Sequence, residues 1–373
     1  MPSGPSASRA IAGAPAAPLA GAPTALPAGA QAALRARTPA TLLAATLLSL
    51  SACSKQTAFG EANSLIILAP DSLSQQVEEE TRRVLEPTIF TSRDEKQYEV
   101  SLVDPGHENV GELKLFRNLI VFGTADDPLM LEVAAEAGQD LAALEPGRVF
   151  QASNVWALAQ TVTAVLLRSG REVESWVAAL PSVLNAVDTN YRELVLRRMF
   201  ATPADTALAA DLGRRFGFSL LVPEVYDRIA RDLGGGDSLV ILRNDNPDPS
   251  ELIRSILIAW RPGGDSLTRD LALEWRAEID AVHYNVPQRI DDANSSVVSF
   301  AWEGRPALEV TGVWQDETGG FPAAGPFIVW LVDCPARTYF IDAWLYSPNR
   351  AKYEYMLQLQ EILGSFRCIE SGA

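Results

Sequence analysis

Ser266, Asp280 and His283 are the side chains of this sequence whose types match nucleophilic catalysis. Hydrolysis at a serine needs an exposed hydroxyl, a histidine within hydrogen-bond reach to take its proton, an acid to orient that histidine, and donors for the developing oxyanion. The atom types are present, but the spacing is wrong for the chemistry. A helix is expected from Thr268 to about Tyr284. Serine and histidine flank it, some 24 Å apart at about 1.5 Å of rise per residue. The expectation is therefore no catalytic residue, with a serine esterase or hydrolase using Ser266 and His283 as the alternative.

The tetrapeptide Gly264-Asp265-Ser266-Leu267 carries the letters that name the GDSL esterases. The layout departs from theirs, in which the serine follows the first strand and an Asp-x-x-His motif lies near the far end of the domain. A second account comes from inside the chain. Asp-Ser-Leu recurs at 71–73, 237–239 and 265–267, and two of the three copies stand where an apolar strand hands over to a helix. Ser64-Leu-Ile-Ile-Leu-Ala-Pro70 leads into the first, and Ser255-Ile-Leu-Ile-Ala-Trp-Arg-Pro262 leads into the third. Asp and Ser are favoured there as caps of unpaired backbone N–H groups, each worth about 1 kcal/mol.

Other chemistry is sparse. The two histidines are His107, in the loop Asp104-Pro-Gly-His-Glu108, and His283, and neither belongs to a cluster with zinc-ligand spacing. Gly234-Gly235-Gly236 lacks the Lys-Ser/Thr of a phosphate loop and reads as a turn. Asp245, Asp248 and Glu251 lack the spacing of a calcium loop and read as a solvated turn. No metal and no cofactor is expected. Trp302, Trp314, Trp330 and Trp344 fall on successive expected strands. Sheet core is the ordinary role of such residues, and a surface for an apolar ligand or a protein partner is the functional one.

Charge and the N-terminus say where such a protein would work. The chain has 31 basic and 47 acidic residues, and residues 1–52 hold Arg9, Arg35 and Arg37 but no acid, so the remainder carries 28 − 47 = −19. Nucleic acid and anionic lipid headgroups would repel that surface. Residues 1–34 are an Ala, Pro and Gly tract with no hydrophobic period, expected to be disordered. Arg35 and Arg37 then precede the small and apolar run Thr41 to Ala52, too short to span a bilayer and of signal-peptide length. The run ends in Leu50-Ser51-Ala52-Cys53, which resembles the bacterial lipobox. That resemblance implies diacylglyceryl modification and acylation of Cys53, a membrane partner through the anchor, and a tether over 53–62. By analogy with known lipoproteins, Ser54 implies an outer-membrane lipoprotein facing the periplasm.

An oxidising periplasm allows the two other cysteines, Cys334 and Cys368, to pair. Asp333-Cys334-Pro335-Ala336 is an expected hairpin turn, from which the strand Thr338 to Tyr346 travels roughly 27–30 Å at about 3.3 Å per residue. A helix from Asn349 to Phe366, with the stripe Met356, Leu359, Leu363 and Phe366, returns about 27 Å and delivers Cys368 beside Cys334.

With 47% apolar residues the chain can bury more than one core. Expected strands lie near 98–103, 119–123 and 155–167, followed by a long helix from Glu172 to Phe200. A meander follows over 296–302, 307–315, 327–332 and 338–346. The fold class is α+β, as two regions with mainly antiparallel sheets, the second built as helix, β-meander and C-terminal helix. The regions are 63–205 and 206–373, with the break near Ala201 to Ala210, around Pro203.

The landmarks Asn63 to Leu68, Leu115 to Val121, Val155 to Gln160, Phe216 to Pro223, Gly312-Val-Trp314, Gly325-Pro-Phe327 and Leu345-Tyr-Ser-Pro348 stand in order behind the lipobox. Together they resemble the bacterial lipoprotein family catalogued as domain of unknown function 4837, over nearly the whole chain after Cys53. Ala323-Ala-Gly325 stands where that family usually shows Met-Gly-Gly. The resemblance implies location and architecture and carries over no activity. The expected role is a lipid-anchored binding or envelope-accessory module, or an anchored small-molecule carrier.

Overall fold

The computed structural model describes residues 55–234, 237–264, 266–283, 288–316, 318 and 323–369. Residues 1–52, expected as leader and signal segment, and Cys53 lie outside them. Among the described residues are seven helices and several mostly antiparallel sheets, about 34% helix and 35% strand, and the fold class is α+β.

The first half contains β1 (Ser64–Leu68), α1 (Asp71–Leu85), the hairpin of β2 (Thr88–Phe90) and β3 (Asp94–Lys96), and β4 (Glu99–Val103). It continues with α2 (Val110–Leu113), β5 (Asn118–Gly123), α3 (Pro128–Ala137), β6 (Val149–Ser153), β7 (Thr161–Leu166) and α4 (Glu172–Met199). Five strands form a sheet in the order β4-β1-β5-β7-β6. This sheet is the exception to the antiparallel rule, since β1 runs parallel to β4 and β5, and β5 parallel to β7. The reason is visible in β1, which is apolar at every position from Leu65 to Leu68. Leu65 and Ile67 face the core under α1 and α4, and Ile66 and Leu68 face the core under α3. A strand covered on both faces needs no polar alternation, and helical crossovers are what join parallel neighbours. On the α4 side Phe122 stacks on Trp176 at 3.7 Å between centroids, and the Trp176 indole donates to Thr81 Oγ1 of α1. The residues 155–160, expected as the start of a strand, form the loop before β7.

The second half runs α5 (Thr206–Phe216), β8 (Phe218–Ser219), β9 (Asp227–Gly234), β10 (Asp237–Asn244), β11 (Ile253–Pro262), α6 (Arg269–His283) and β12 (Arg289–Ile290). It closes with β13 (Ser296–Trp302), β14 (Arg305–Asp316), β15 (Ala323–Cys334), β16 (Arg337–Tyr346), α7 (Tyr353–Leu363) and β17 (Arg367–Cys368). The large sheet has the order β12-β14-β15-β16-β11-β10-β9, with β13 also on β14. Alternation along β15 sends Phe327, Val329 and Leu331 toward α6, and Ile328, Trp330 and Val332 toward α5 and α7. The expected meander is present, extended on its far side by β11, β10 and β9. The stretch 201–210, expected as a break, holds the start of α5, whose N-terminus is capped by Asp205 accepting from Leu208 N.

Three of the sequence landmarks meet here. Gly312 pairs with Phe327 and Trp314 with Gly325 across β14 and β15, while the Trp314 indole donates to Leu345 O at 3.2 Å. A Cβ on Gly325 would sit 1.8 Å from that same carbonyl oxygen, so the position admits only hydrogen.

α7 joins the halves. Tyr353 and Leu357 enter the core under α4, and Met356, Leu359, Ile362 and Leu363 enter the core under the large sheet. Just before it, Lys352 Nζ lies 3.0 Å from Glu95 Oε1, both side chains buried, and Lys352 N donates to Glu95 Oε2 at 2.7 Å. Past it, Cys368 closes the expected disulfide with Cys334, 34 residues apart in sequence with Cα atoms 6.0 Å apart.

The expected tether is shorter than 53–62. Leu158 N donates to Gln56 O and Ala58 N to Leu158 O, both at 2.8 Å, while Phe59 N donates to Leu115 O and Arg117 N to Phe59 O. Ala58 and Ala62 are buried. Backbone pairing along the loops below the sheet outweighs the solvation of a polar segment, so residues from Gln56 onward are part of the body.

Burial alone would raise the Glu95 carboxyl, but the hydrogen bonds and charge of Lys352 outweigh it and hold the group below the ordinary carboxylate value. A depressed folded pKa contributes stability above the unfolded value of about 4.3, and this is lost as pH falls through the folded value. Lys352→Met leaves Glu95 buried without its cation and should cost about 3–5 kcal/mol in urea unfolding at neutral pH, with Glu95→Leu alongside it recovering most of the loss. Gly325→Ala should lower the same unfolding free energy by at least about 2 kcal/mol, because the added methyl meets backbone.

Candidate functional site

Ser266 and His283 are not brought together. α6 runs from Arg269 to His283, fifteen residues, so its ends are about 22 Å apart, with exposed Ser266 before one and His283 at the other. Asp280, the candidate orienting acid, instead accepts from Gln288 N at 2.9 Å. Burial raises its carboxyl pKa against the pull of that bond and of Arg276. The capping account of Asp-Ser-Leu is also corrected. Thr268 Oγ1 accepts from Leu271 N at the start of α6, and α1 follows Pro70, with Asp71 N donating to Asp104 Oδ2 from the loop after β4. Asp237 and Leu239 belong to a strand. At α1 an aspartate from a neighbouring loop takes the amide in place of the motif, and at α6 Thr268 caps Leu271 N, while Asp265 lies outside the described residues.

The centre of the α6 face is a buried ion pair rather than a reaction site. Arg276 and Asp342, 1% and 0% exposed, lie 3.0 Å apart between α6 and β16. The guanidinium also donates to Gln288 Oε1 and sits 4.5 Å from the centroid of Phe327. The pair and the Gln288 bond fix α6 to the sheet, while Arg276 Nη1 is buried with no hydrogen-bond partner among the described residues.

The four tryptophans do not form one surface. Trp314 and Trp344 lie on the α6 face, with ring centroids 5.6 Å apart, and Trp302 and Trp330 meet at 5.1 Å on the opposite face. Trp314, Trp330 and Trp344 are buried, and the indole of Trp302 donates to Phe366 O. Strand alternation divides them, so the expectation of a shared apolar ligand or partner surface is corrected to sheet core. His107 is exposed and accepts from Asn109 N, holding its own loop. Asp245 pairs with Arg243, Asp248 accepts from Ser250, and Glu251 pairs with Arg350, so the three acids are engaged separately. Among the described residues no group of three His, Cys, Asp or Glu could hold a metal ion. The glycine run 234–236 lies at the β9–β10 hairpin, and Gly235 and Gly236 fall outside the described residues.

What spacing did not show is a cleft of about 430 Å³ at the N-terminal ends of the parallel strands, under the second half of α4. Asn118 opens β5, Gln151 and Ser153 lie on β6, Thr161 and Thr163 on β7, and Asn190 and Arg197 come from α4. Arg117 also lines it, and its Nε is buried without a hydrogen-bond partner among the described residues. Gln151 is already used, donating to Thr163 Oγ1 at 3.1 Å, and Asn118 donates to Ala62 O at 2.7 Å. The arrangement offers neutral donors and acceptors beside two guanidinium groups, of which Arg197 is paired with Glu193 of the same lining at 3.8 Å, leaving Arg117 to face an anionic group of a polar ligand. It offers no nucleophile with a base. The signal in sequence was faint: polar residues at the starts of otherwise apolar strands.

The family described as Domain of unknown function (DUF4837) matches residues 206–365, the family named from the landmarks. The match covers the second half, and the landmarks before Thr206 lie outside it. No curated protein matches the chain. Among solved structures, a crystal structure from Bacteroides thetaiotaomicron is 12% identical over 42% of this chain and 47% of its own, with a TM-score of 0.26. The solution structure of cyanobacterial PsbP (CyanoP) from Synechocystis sp. PCC 6803 is 15% identical over 41% of this chain and 86% of its own, with a TM-score of 0.29. The chain spans about half the length of the Bacteroides structure, and at these scores neither likeness bears on function.

A fluorophosphonate probe should leave the purified protein unlabelled. Ser266→Ala should change the unfolding free energy by no more than about 0.5 kcal/mol, as for an exposed side chain.

Proposed function

We propose that this chain, whose residues 206–365 match an uncharacterised family, is an outer-membrane lipoprotein facing the periplasm that works as a binding or envelope-accessory module without catalysis. The observation that supports it most is the Cys334–Cys368 disulfide, because structural disulfides persist in oxidising compartments and are rare in the cytosol. Leu50-Ser51-Ala52-Cys53 supports the same location from the other end of the chain. Acylation of Cys53 would place several chains in the bilayer, each buried methylene contributing about 0.8 kcal/mol, so the anchor would be lasting. The match begins at Thr206, the first residue of α5, which supports taking 206–373 as a unit beside 63–205.

The binding site in this reading is the cleft under α4. Its lining favours a ligand rich in hydrogen-bonding groups, with an anionic group near Arg117, since Arg197 is paired with Glu193. The buried Nε of Arg117 supports that choice, since an unpaired buried donor is costly and a ligand oxygen would satisfy it.

Cells fed a clickable fatty acid should yield labelled protein in the membrane fraction, and Cys53→Ala should abolish the label. An unlabelled wild-type chain found intact in the cytosol would overturn the reading.

A further inference from the structure

We infer that the face carrying Phe59, Trp156 and Leu158 rests on the bilayer surface that holds the anchor; this depends on acylation of Cys53 as proposed above. Phe59 is 46% exposed and Leu158 is 45% exposed, and they lie on one strip. Thr57 bridges to Leu158, and Phe59 bridges to Phe116, with the Phe59 and Phe116 rings 4.6 Å apart. Trp156, half-buried, stands in the same loop as Leu158 and donates to Glu132 Oε2 at 2.6 Å. An amphipathic indole beside exposed apolar side chains is the pattern of membrane–water interfaces.

The position of the chain selects a lipid surface as the occupant. Lys55 Nζ is held by Glu136 Oε1 at 2.8 Å and by Asn154 O at 2.6 Å. Cys53 is two residues earlier, and two residues reach at most about 7 Å. A thioether-linked diacylglycerol at Cys53 therefore brings this strip to the headgroups, with no room for the body to swing away. Charge fits as well. The chain is strongly acidic overall, yet the acids on this side of α3 are paired, Glu136 with Lys55 and Glu132 with Lys114. Lys114 Nζ also lies 4.8 Å from the Trp156 ring centroid.

The test uses the full chain, processed by a Gram-negative host and reconstituted into vesicles of phosphatidylethanolamine with a minority of phosphatidylglycerol. Phe59→Cys, Leu158→Cys and Val282→Cys each add one free thiol for an environment-sensitive fluorophore, since Cys334 and Cys368 are joined. Val282, 69% exposed at the end of α6, serves as the distant control. Doxyl-labelled lipid should quench the probes at 59 and 158 severalfold more than the probe at 282. Acylated protein with equal quenching at all three positions overturns the membrane seat and leaves the anchor standing. Probes at 59 and 158 that are shielded but not quenched by lipid also overturn it, in favour of a second copy or a protein. Mass analysis showing Cys53 unmodified overturns the anchor, and the seat with it.

Discussion

Lys352 is buried with its ammonium on Glu95, and its backbone N–H donates to the same carboxylate. Removing these charges from water costs several kcal/mol per ion, and the cost is offset only when both partners are held in register. That register fixes the first turn of α7. At the next residue, Tyr353 donates to Asp188 Oδ1, which also accepts from Tyr98 and Gln97, while Arg192 takes the second oxygen. Burial beside the Asp188 charge drives the Tyr98 and Tyr353 hydroxyls well above the ordinary tyrosine value, so both stay protonated as donors. Residues before β4, in the middle of α4 and at the start of α7 thus share one carboxylate. The two sheets are tied through a polar knot inside an otherwise apolar contact.

The second sheet repeats the device on its other face. Arg276 and Asp342 are buried where α6 crosses β16, while on the α7 face Glu309 of β14 accepts from the Trp330 indole, with burial raising its carboxyl pKa against that bond. Hydrophobic contact is nondirectional and would let a helix slide along the sheet. A buried ion pair tolerates little displacement, because an unpaired buried charge is far more costly than a shifted methyl group. Most strong shifts in titration here belong to structural pairs, while Tyr191, raised by burial, lines the cleft under α4.

Much of the second half was legible because its signals are local. Strands β13 to β16 alternate with turn residues between them, and the stripe Met356, Leu359, Leu363 and Phe366 gives the closing helix its period. The disulfide followed from lengths of strand and helix alone. The first half was harder. Parallel strands are apolar throughout, so period does not reveal their partners, and α3 went unread despite the Asp127-Pro128 start and Gly138 stop that cap it. The cleft was illegible for the same reason, since its lining comes from β5, β6, β7 and α4 and touches only after crossovers that pairing patterns do not encode.

Residue order by itself determined the α+β class, the meander and the pairing of Cys334 with Cys368, because each depends on spacing along short stretches. It also determined that Ser266 and His283 could not meet, since the helix between them has a set rise per residue. Tertiary structure alone decided that residues from Gln56 belong to the body, that the tryptophans split between two faces, and that Arg276, Asp342, Glu95 and Lys352 are buried. Those outcomes depend on which distant backbone edges and charges come together, and that is set by the summed burial of both sheets rather than by any local pattern.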